Sequence, residues 1–494
     1  MVGLLLLLAF LALAYLMFSG RLAAMVALPL LALIVTIIAG LPYYYNEALQ
    51  PHLLEAEKIQ HQLTFLGRLK YAFGSTLHLA ISVVIKDGVT KLAAAIMTVM
   101  LGGLFGQLLK RSGVADTLVR RVAELAGDNT FAVSYVLSLA VAFLFTTLGG
   151  LGSVIMVANI TFPVLLSLGM PPVVVGCQFL VAMCFGGVFN LVNWQLYLKV
   201  LEMDVNTVAS FAVPFGFCYL IIMTIFTYVE CKRAKLPVSS RALQVVIALG
   251  VLIAFALYLF RSNPKYAQGI LDPIKDGFVL ALLISFFLPI KGSEKSPSIM
   301  ALVSPAVPIL LVVLCGIDIN AAFVVGILFL LRFSGAKNYS RLLIQSAIEG
   351  IQAVAPAIAV MMGIGMVVVA VWQKPVSESL TPIIKFVLPT SKVGFVLFFG
   401  CLAPMALYRG PLNIWGMGSG LLKLVQATGL IATKQIMAAF MSTGQIQGVC
   451  DPTNTHNVWV ANQLKVETSD ILKRTLPYMW ALAFMGLLLG VYVK

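Results

Sequence analysis

Charge is what this chain has least of. Asp, Glu, Lys and Arg together make up 11% of its 494 residues, against about 25% in soluble domains. That shortage excludes an ordinary soluble globular protein. Acidic residues are the scarcer sign, 19 against 33 basic, for a formal net charge of +14. The excess does not mark a nucleic-acid binder. It sits in short loops such as Lys110-Arg111, Arg120-Arg121 and Cys231-Lys232-Arg233-Ala234-Lys235, and basic loops between membrane spans are a topological signal. The seven cysteines contain no CxxC pair, and Cys177, Cys184, Cys315 and Cys401 lie inside apolar segments. They read as packing residues and say little about redox compartment. There is no HExxH, no Cys/His cluster at metal spacing, no hydrolase elbow, and no GKS or GKT after a glycine-rich stretch. Enzyme activity, a phosphate loop and a resident cofactor therefore have no support.

What the chain does have is apolar length. Hydrophobic residues are 61% of it and its mean hydropathy is +1.01, which predicts an all-α polytopic membrane protein. Runs long enough to span fall near 2–18, 22–41, 89–110, 172–198, 207–230, 242–260, 276–290, 297–314, 318–333, 350–372, 433–464 and 474–492, about twelve transmembrane helices. Met1 to Phe18 lacks a charged leader region and reads as a first membrane helix rather than a cleaved signal. Two stretches read as re-entrant hairpins. Residues 131–168 carry the tip Thr146-Thr147-Leu148-Gly149-Gly150-Leu151-Gly152-Ser153, and residues 392–426 carry Tyr408-Arg409-Gly410-Pro411-Leu412-Asn413. Two ordinary spans joined by a tight turn are the alternative for each.

The chain also repeats itself. Asn190 and Asn193 stand in FNLVN, and Asn454 and Asn457 stand in DPTNTHN, 264 positions later. Asp87-Gly88 and Glu349-Gly350 each precede a span, at a similar offset, as interface anchors rather than ligands. The expected plan is a first repeat over 1–230, with hairpin 131–168 and broken helix 172–198. A linker of two spans over 231–296 precedes a second repeat over 297–494, with hairpin 392–426 and broken helix 433–464. Five crossings per half and an even linker invert the second half relative to the first. A longer polar segment, 42–70, follows the first helix pair only, and Gln445–Pro452 is expected to contain a short insertion. The loops around 110–130, 232–241, 291–295, 332–341 and 465–474 share one side and hold more Lys and Arg, which places them in the cytoplasm and both termini outside.

Inverted repeats put substrate and ion sites on the broken helices near the bilayer midplane. Arg409 is the sharpest candidate, since an arginine at membrane depth is functional by default and its planar fork suits a carboxylate. A turn arginine snorkelling to water is the alternative. Gly410 and Asn413 share its tip, and Thr147, Gly149, Gly150 and Ser153 form the equivalent one. With the four asparagines, these make the expected anion site. Asp451 is expected to couple a cation, either Na⁺ through oxygen ligands or a proton, with helix capping as its other reading. His456, Thr443, Gln445, Thr453 and Thr455 lie close by in sequence, His456 as proton carrier or hydrogen-bonded structural residue. A Na⁺ site would draw on Asn190, Asn193, Asp451 and Asn454.

The tips TTLGGLGS and YRGPLN and the breaks FNLVN and DPTNTHN, set in paired halves over most of the chain, resemble the ion transporter superfamily of secondary carriers. That group includes the gluconate, citrate, dicarboxylate and lactate permease families and relatives among sodium/proton antiporters. Neither tip carries the Ser-Asn-Thr triplet typical of the dicarboxylate branch, and Thr453-Asn454-Thr455 alone comes near it. The resemblance implies a scaffold and a moving transport domain, commonly in a homodimer working by an elevator-like motion. The expected function is a symporter for a small organic anion, a carboxylate, coupled to H⁺ or Na⁺ in a bacterial cytoplasmic (inner) membrane. A Na⁺/H⁺ antiporter is the alternative. An ion channel ranks lower, because channels build rings across subunits whereas this pseudo-symmetry is internal to one chain.

Overall fold

A computed structural model of the chain describes residues 1–19, 21–49, 64–125, 129–287 and 297–492. The basic loop 291–295, Lys58 and much of the polar segment 42–70 lie outside the described residues. In chain order the helices are α1 (Val2–Phe18), α2 (Ala24–Glu47), α3 (Phe65–His78), a π-helical turn (Leu79–Ile85), α4 (Lys86–Lys91), α5 (Ala93–Arg111), α6 (Val114–Leu125), α7 (Thr130–Phe145) and α8 (Gly150–Ser167). Next come α9 (Pro172–Val188), α10 (Leu191–Leu201), α11 (Val205–Arg233), α12 (Ser240–Ser262), α13 (Pro264–Ser285), α14 (Ile299–Val303), α15 (Ala306–Cys315) and α16 (Ile319–Phe333). The rest are α17 (Tyr339–Trp372), α18 (Lys374–Val387), α19 (Lys392–Leu402), a 3₁₀ turn (Ala403–Arg409), α20 (Gly418–Thr428), α21 (Thr433–Cys450), α22 (Thr455–Leu464) and α23 (Thr468–Tyr492).

No strand occurs among the described residues. Eight helices among them are long and apolar enough to cross a membrane, or nine with the pair α9–α10, which bends by 50° at its break. Four shorter apolar helices, α1, α7, α15 and α16, add to these. The chain is an integral, multi-pass, all-α membrane protein with broken helices. Only helices and closed barrels satisfy their backbone without water, and this composition selects helices. The linker forms the helices α12 and α13. No residue in the most apolar stretch of α12 is buried, which suits contact with lipid tails. α13 begins earlier than the expected span 276–290, at Pro264, and carries Lys265, Asp272, Lys275 and Asp276 before its apolar stretch.

The helices cluster in two compact units. One comprises Met1–Ala93 and Pro356–Gln447, the other Ala94–Ala355 and Gly448–Lys494. In the first unit α2 packs on α1 and α3, and α18 packs on α1, α2 and α20. In the second, α9 is central: α7, α8, α11, α22 and α23 all pack on it. Its surroundings bury Trp194, Tyr219, Phe179, Phe215 and Phe226 almost completely.

Glycine crossings tighten both units, and they come as a matched set. In the first unit a Cβ on Gly365 would fall 2.2 Å from the Gly88 carbonyl oxygen, and one on Gly88 would fall 2.6 Å from Met366 Cα. In the second, a Cβ on Gly103 would fall 2.7 Å from the Gly350 oxygen, and one on Gly350 would meet Gly103 C at 2.6 Å. Gly88 and Gly350 are equivalent at an offset of 262, and so are Gly103 and Gly365. Each half therefore supplies one glycine to the crossing made by the other, the reciprocal pattern of a two-fold contact. Lipid tails are as apolar as leucine, so helices in a membrane associate through such close small-residue packing.

A buried ion pair closes one end of the second unit. Glu230, at the end of α11, is fully buried; its carboxylate accepts from Arg474 Nη1 of α23 at 2.6 Å and from Arg233 Nη1 at 2.9 Å. At the far end of the same helix, Asp204 caps α11. The Thr207 hydroxyl, then its amide, hold that carboxyl below the usual carboxylate range.

Two outcomes follow from this packing. Gly103→Ala and Gly365→Ala should each destabilise the protein by about 2 kcal/mol, the cost of forcing a methyl against backbone. Gly250→Ala, with open space around it, should be neutral or stabilising, and thermal unfolding in detergent compares the three. In the same assay Arg474→Ala should cost about 3 kcal/mol, because it strips the inter-helix partner from a buried carboxylate. Arg233→Ala should cost under about 1 kcal/mol, since that side chain is 61% exposed and its pair lies within one helix.

Candidate functional site

Where α9 stops, its last carbonyls lose their helical partners. The following helix supplies replacements. Asn193 Nδ2 donates to Gly187 O at 2.8 Å, and Trp194 Nε1 donates to Val188 O at 2.8 Å. Asn190 caps α10: its Oδ1 accepts from Val192 N at 2.9 Å. Its Nδ2 reaches the first tip, donating to Phe145 O at 2.8 Å and Leu148 O at 2.9 Å. One buried amide thus fastens the first break to the first hairpin tip.

The second break repeats one of these bonds. Asn457 Nδ2 donates to Asp451 O at 2.8 Å, the equivalent of the Asn193–Gly187 bond at the same offset of 264, and also to Val449 O at 3.1 Å. His456 Nε2 lies 3.1 Å from Gly448 O and 3.1 Å from Asn454 Nδ2, which makes it a hydrogen-bonded member of the break. Both breaks end in a left-handed residue after the short helix, Glu202 and Lys465. They lie close together in the second unit, where a Cβ on Gly448 would fall 2.7 Å from Cys184 Sγ of α9. Trp459 stacks on Phe162 of α8 with centroids 6.3 Å apart.

The two breaks differ in length. The first is Phe189 alone between α9 and the cap Asn190, whereas the second is Asp451-Pro452-Thr453 before the cap Asn454. α21 runs unbroken to Cys450, so the extra residues sit in the coil and not in the preceding turn of helix. Asp451 does not cap α22, because Asn454 holds that position. Its fully buried carboxylate folds the coil instead, Oδ1 accepting from Thr453 N at 2.8 Å and Thr453 Oγ1 at 2.6 Å. Thr453 and Thr455 themselves are exposed. In the first tip, Thr147 Oγ1 donates to Leu144 O at 3.3 Å and Ser153 Oγ to Gly149 O at 2.9 Å. Gly149 leads into α8, and Gly150 takes φ +79°, a conformation that suits glycine.

Arg409 and its tip belong to the first unit. Tyr408 and Arg409 both adopt positive φ, +57° and +56°, at roughly 1–2 kcal/mol each for side-chain-bearing residues. Such strain concentrates at functional sites. The coil is tight: a Cβ on Gly410 would fall 2.2 Å from Met405 O, and one on Gly416 2.1 Å from Arg409 O. Arg409 Nη1 donates to Trp415 O at 3.2 Å. Asn413 Oδ1 accepts from Trp415 N at 2.9 Å, which leaves its Nδ2 buried with no hydrogen-bond partner among the described residues. Thr443 Oγ1 of α21 ties down the same coil, donating to Leu412 O at 3.1 Å, whereas Gln445 Nε2 bonds within its own helix to Met441 O at 3.1 Å.

Three buried amide atoms without a hydrogen-bond partner among the described residues lie at these segments. In the coil of Arg409 it is a donor, Asn413 Nδ2; at the second break it is an acceptor, Asn457 Oδ1, and beside the first tip another acceptor, Gln107 Oε1. Gln107 escaped the sequence reading. It is buried on α5, and a Cβ on Gly152 would lie 3.6 Å from its Nε2. The signal was a lone amide in the apolar run LGGLFGQLL, with no polar neighbour to draw attention to it. Asp87 and Glu349 lie within helices away from these residues, and Glu349 forms a two-pronged pair with Arg111, as an anchor should.

No protein-family model matches the chain, and no curated protein matches it by sequence. Its fold is similar to that of the YdaH transporter of Alcanivorax borkumensis, whose topology is described as unusual. The TM-score is 0.56 at 17% identity, over 94% of this chain and 98% of that one. It is also similar to MtrF of Neisseria gonorrhoeae, described among a class of antimetabolite efflux pumps. There the TM-score is 0.52 at 12% identity, over 95% of this chain and 94% of that one. At these identities the likeness is one of fold.

Proposed function

We propose that this chain is a secondary active transporter of a small organic anion, a carboxylate, coupled to Na⁺ or H⁺ and working by elevator-type alternating access. The observation that carries the reading is a pair of unpartnered buried amide atoms, Asn413 Nδ2 in the coil of Arg409 and Asn457 Oδ1 at the break that holds Asp451. A buried donor with no partner beside a guanidinium wants an anion. A buried oxygen with no partner, Asn457 Oδ1, at the break that holds the fully buried Asp451 wants a cation or a proton. In this reading Arg409, Gly410 and Asn413 bind the carboxylate. Asp451 and Asn457 hold the coupling ion, and Asn190, Asn193, Asn454, His456 and Thr453 shape the coil around it. Thr147, Gly149, Gly150 and Ser153 form the tip to which Asn190 is fastened.

The transporter names of the two fold neighbours support the class, and the matched glycine crossings and the one matched break bond support two equivalent halves. The same reading places the protein in a bacterial cytoplasmic membrane as a homodimer, within or near the ion transporter superfamily. A Na⁺/H⁺ antiporter is the second reading, favoured by one observation: Asp451 and the unpaired Asn457 oxygen would suffice for cation exchange without Arg409.

Proteoliposomes loaded with labelled small carboxylates, under imposed Na⁺ or pH gradients and followed in both directions, test this. Arg409→Gly removes the guanidinium without opposing the positive φ. It should lower carboxylate flux by about 10- to 100-fold, the worth of hydrogen bonds to a charged group. Asp451→Asn should leave carboxylate binding measurable while abolishing the dependence of flux on the driving gradient. If wild-type vesicles move no carboxylate, and Na⁺-driven proton flux survives Arg409→Gly, the anion reading is wrong and the antiporter stands. Conductance far above carrier turnover would sink both.

A further inference from the structure

We propose that Gln107 sets substrate specificity at the first hairpin tip, where its side-chain oxygen accepts a hydrogen bond from a hydroxyl of the transported anion. This role rests on the organic-anion reading above and adds an uncharged donor to the substrate that reading describes. Gln107 and the tip both belong to the second unit. Gln107 lies on α5 and is 7% exposed, and its Oε1 has no hydrogen-bond partner among the described residues. Its carboxamide borders the first turn of α8. Beyond its own helix, a Cβ on Gly152 would have only Gln107 Nε2 within 4 Å, at 3.6 Å. A Cβ on Gly106, next to Gln107, would lie 3.5 Å from Ser153 Oγ. There is room beside the tip: a Cβ on Gly149 would meet nothing within 4 Å beyond its chain neighbours, and Gly150 is exposed.

The start of α8 supplies the complementary groups. Its cap, Gly149, has no side chain to offer, and the amides of Gly150, Leu151 and Gly152 donate to no group outside the helix among the described residues. The first N–H groups of a helix have no partner within it, and here they stand at the positive end of 18 residues. Donors without acceptors therefore sit beside an acceptor without a donor. A cation would suit Oε1 but is opposed by the helix end. A carboxylate would suit the amides but sets its oxygens against the Gln107 oxygen. A hydroxyl meets both demands without charge, since it donates one hydrogen and accepts through its lone pairs. A substrate lacking it leaves Oε1 buried and unpaired, and a site of that kind discriminates against such a substrate.

The test measures flux of three acid pairs through the full chain in proteoliposomes, each pair matched except for one hydroxyl. The pairs are glycolate and acetate, malate and succinate, and 4-hydroxybenzoate and benzoate. Within whichever pair is moved, the wild type should favour the hydroxyl-bearing acid by about tenfold, the worth of one hydrogen bond. Gln107→Met keeps the length of the side chain and removes the acceptor. It should bring the two members of the pair within about twofold of each other. This ratio is internal to one preparation, so the amount of folded protein cancels. Gln107→Met should also leave the unfolding temperature of the ligand-free protein no lower, because the oxygen it removes is unpaired there. Equal flux within a pair in the wild type, or a preference that survives Gln107→Met, overturns the proposal. A lowered unfolding temperature with the preference intact would make Gln107 a structural amide. If wild-type vesicles move none of the six acids, the organic-anion reading itself fails and this role falls with it; if they move a pair without preference, the hydroxyl role alone fails.

Discussion

A carbonyl oxygen freed at a helix break inside a bilayer has no water to turn to, and this constraint organises the rest of the structure. Leaving such a group unpaired costs several kcal/mol, so a helix can break there only where side chains supply the missing donors. Both breaks meet the requirement alike, with an asparagine four positions into the resumed segment, counting the cap as the first, donating back six residues. The first cap asparagine extends the same economy to the neighbouring hairpin tip. Breaking the helices therefore commits the surrounding amides to holding backbone, and most polar side chains here are structural members before they are ligands.

That commitment makes the leftover atoms informative. Once the asparagine amide hydrogens are spent on carbonyls, what remains at the second break and beside the first tip is oxygen: Asn457 Oδ1 and Gln107 Oε1. In the coil around Arg409 the asparagine oxygen is spent on Trp415 N, and what remains is a donor. Both characters arise in the second half of the chain, where Arg409 and Asn413 fall in one unit and Asp451 and Asn457 in the other. The longer coil of the second break is what admits Asp451, and the shorter first break has no room for such a residue.

Much of this was legible in the residues. Asn190, Asn193, Asn454 and Asn457 stood out because polar pairs are conspicuous in an apolar chain, and the breaks fell where they stand. The two helix–tip–helix segments also lie where glycine and polar residues interrupt the apolar runs. Other features were not legible. Gln107 lies far from the first tip in sequence, and only packing brings it beside Gly152. The role of Asp451 depended on which residue starts α22, and Asp-Pro-Thr reads equally well as a cap or as a turn. The glycines at 103 and 365 looked like ordinary membrane glycines until their partners at 350 and 88 were seen.

The sequence by itself determined that this is a helical membrane protein, where its helices break, and that its two halves share a plan. Those properties follow from hydropathy, from turn chemistry and from spacing along the chain, all of which are local. The tertiary structure alone decided which amide satisfies which carbonyl, and hence which polar atoms remain over for a ligand. Hydrogen bonds saturate: an amide hydrogen given to one carbonyl is denied to every other, and that choice depends on neighbours brought together from distant parts of the chain.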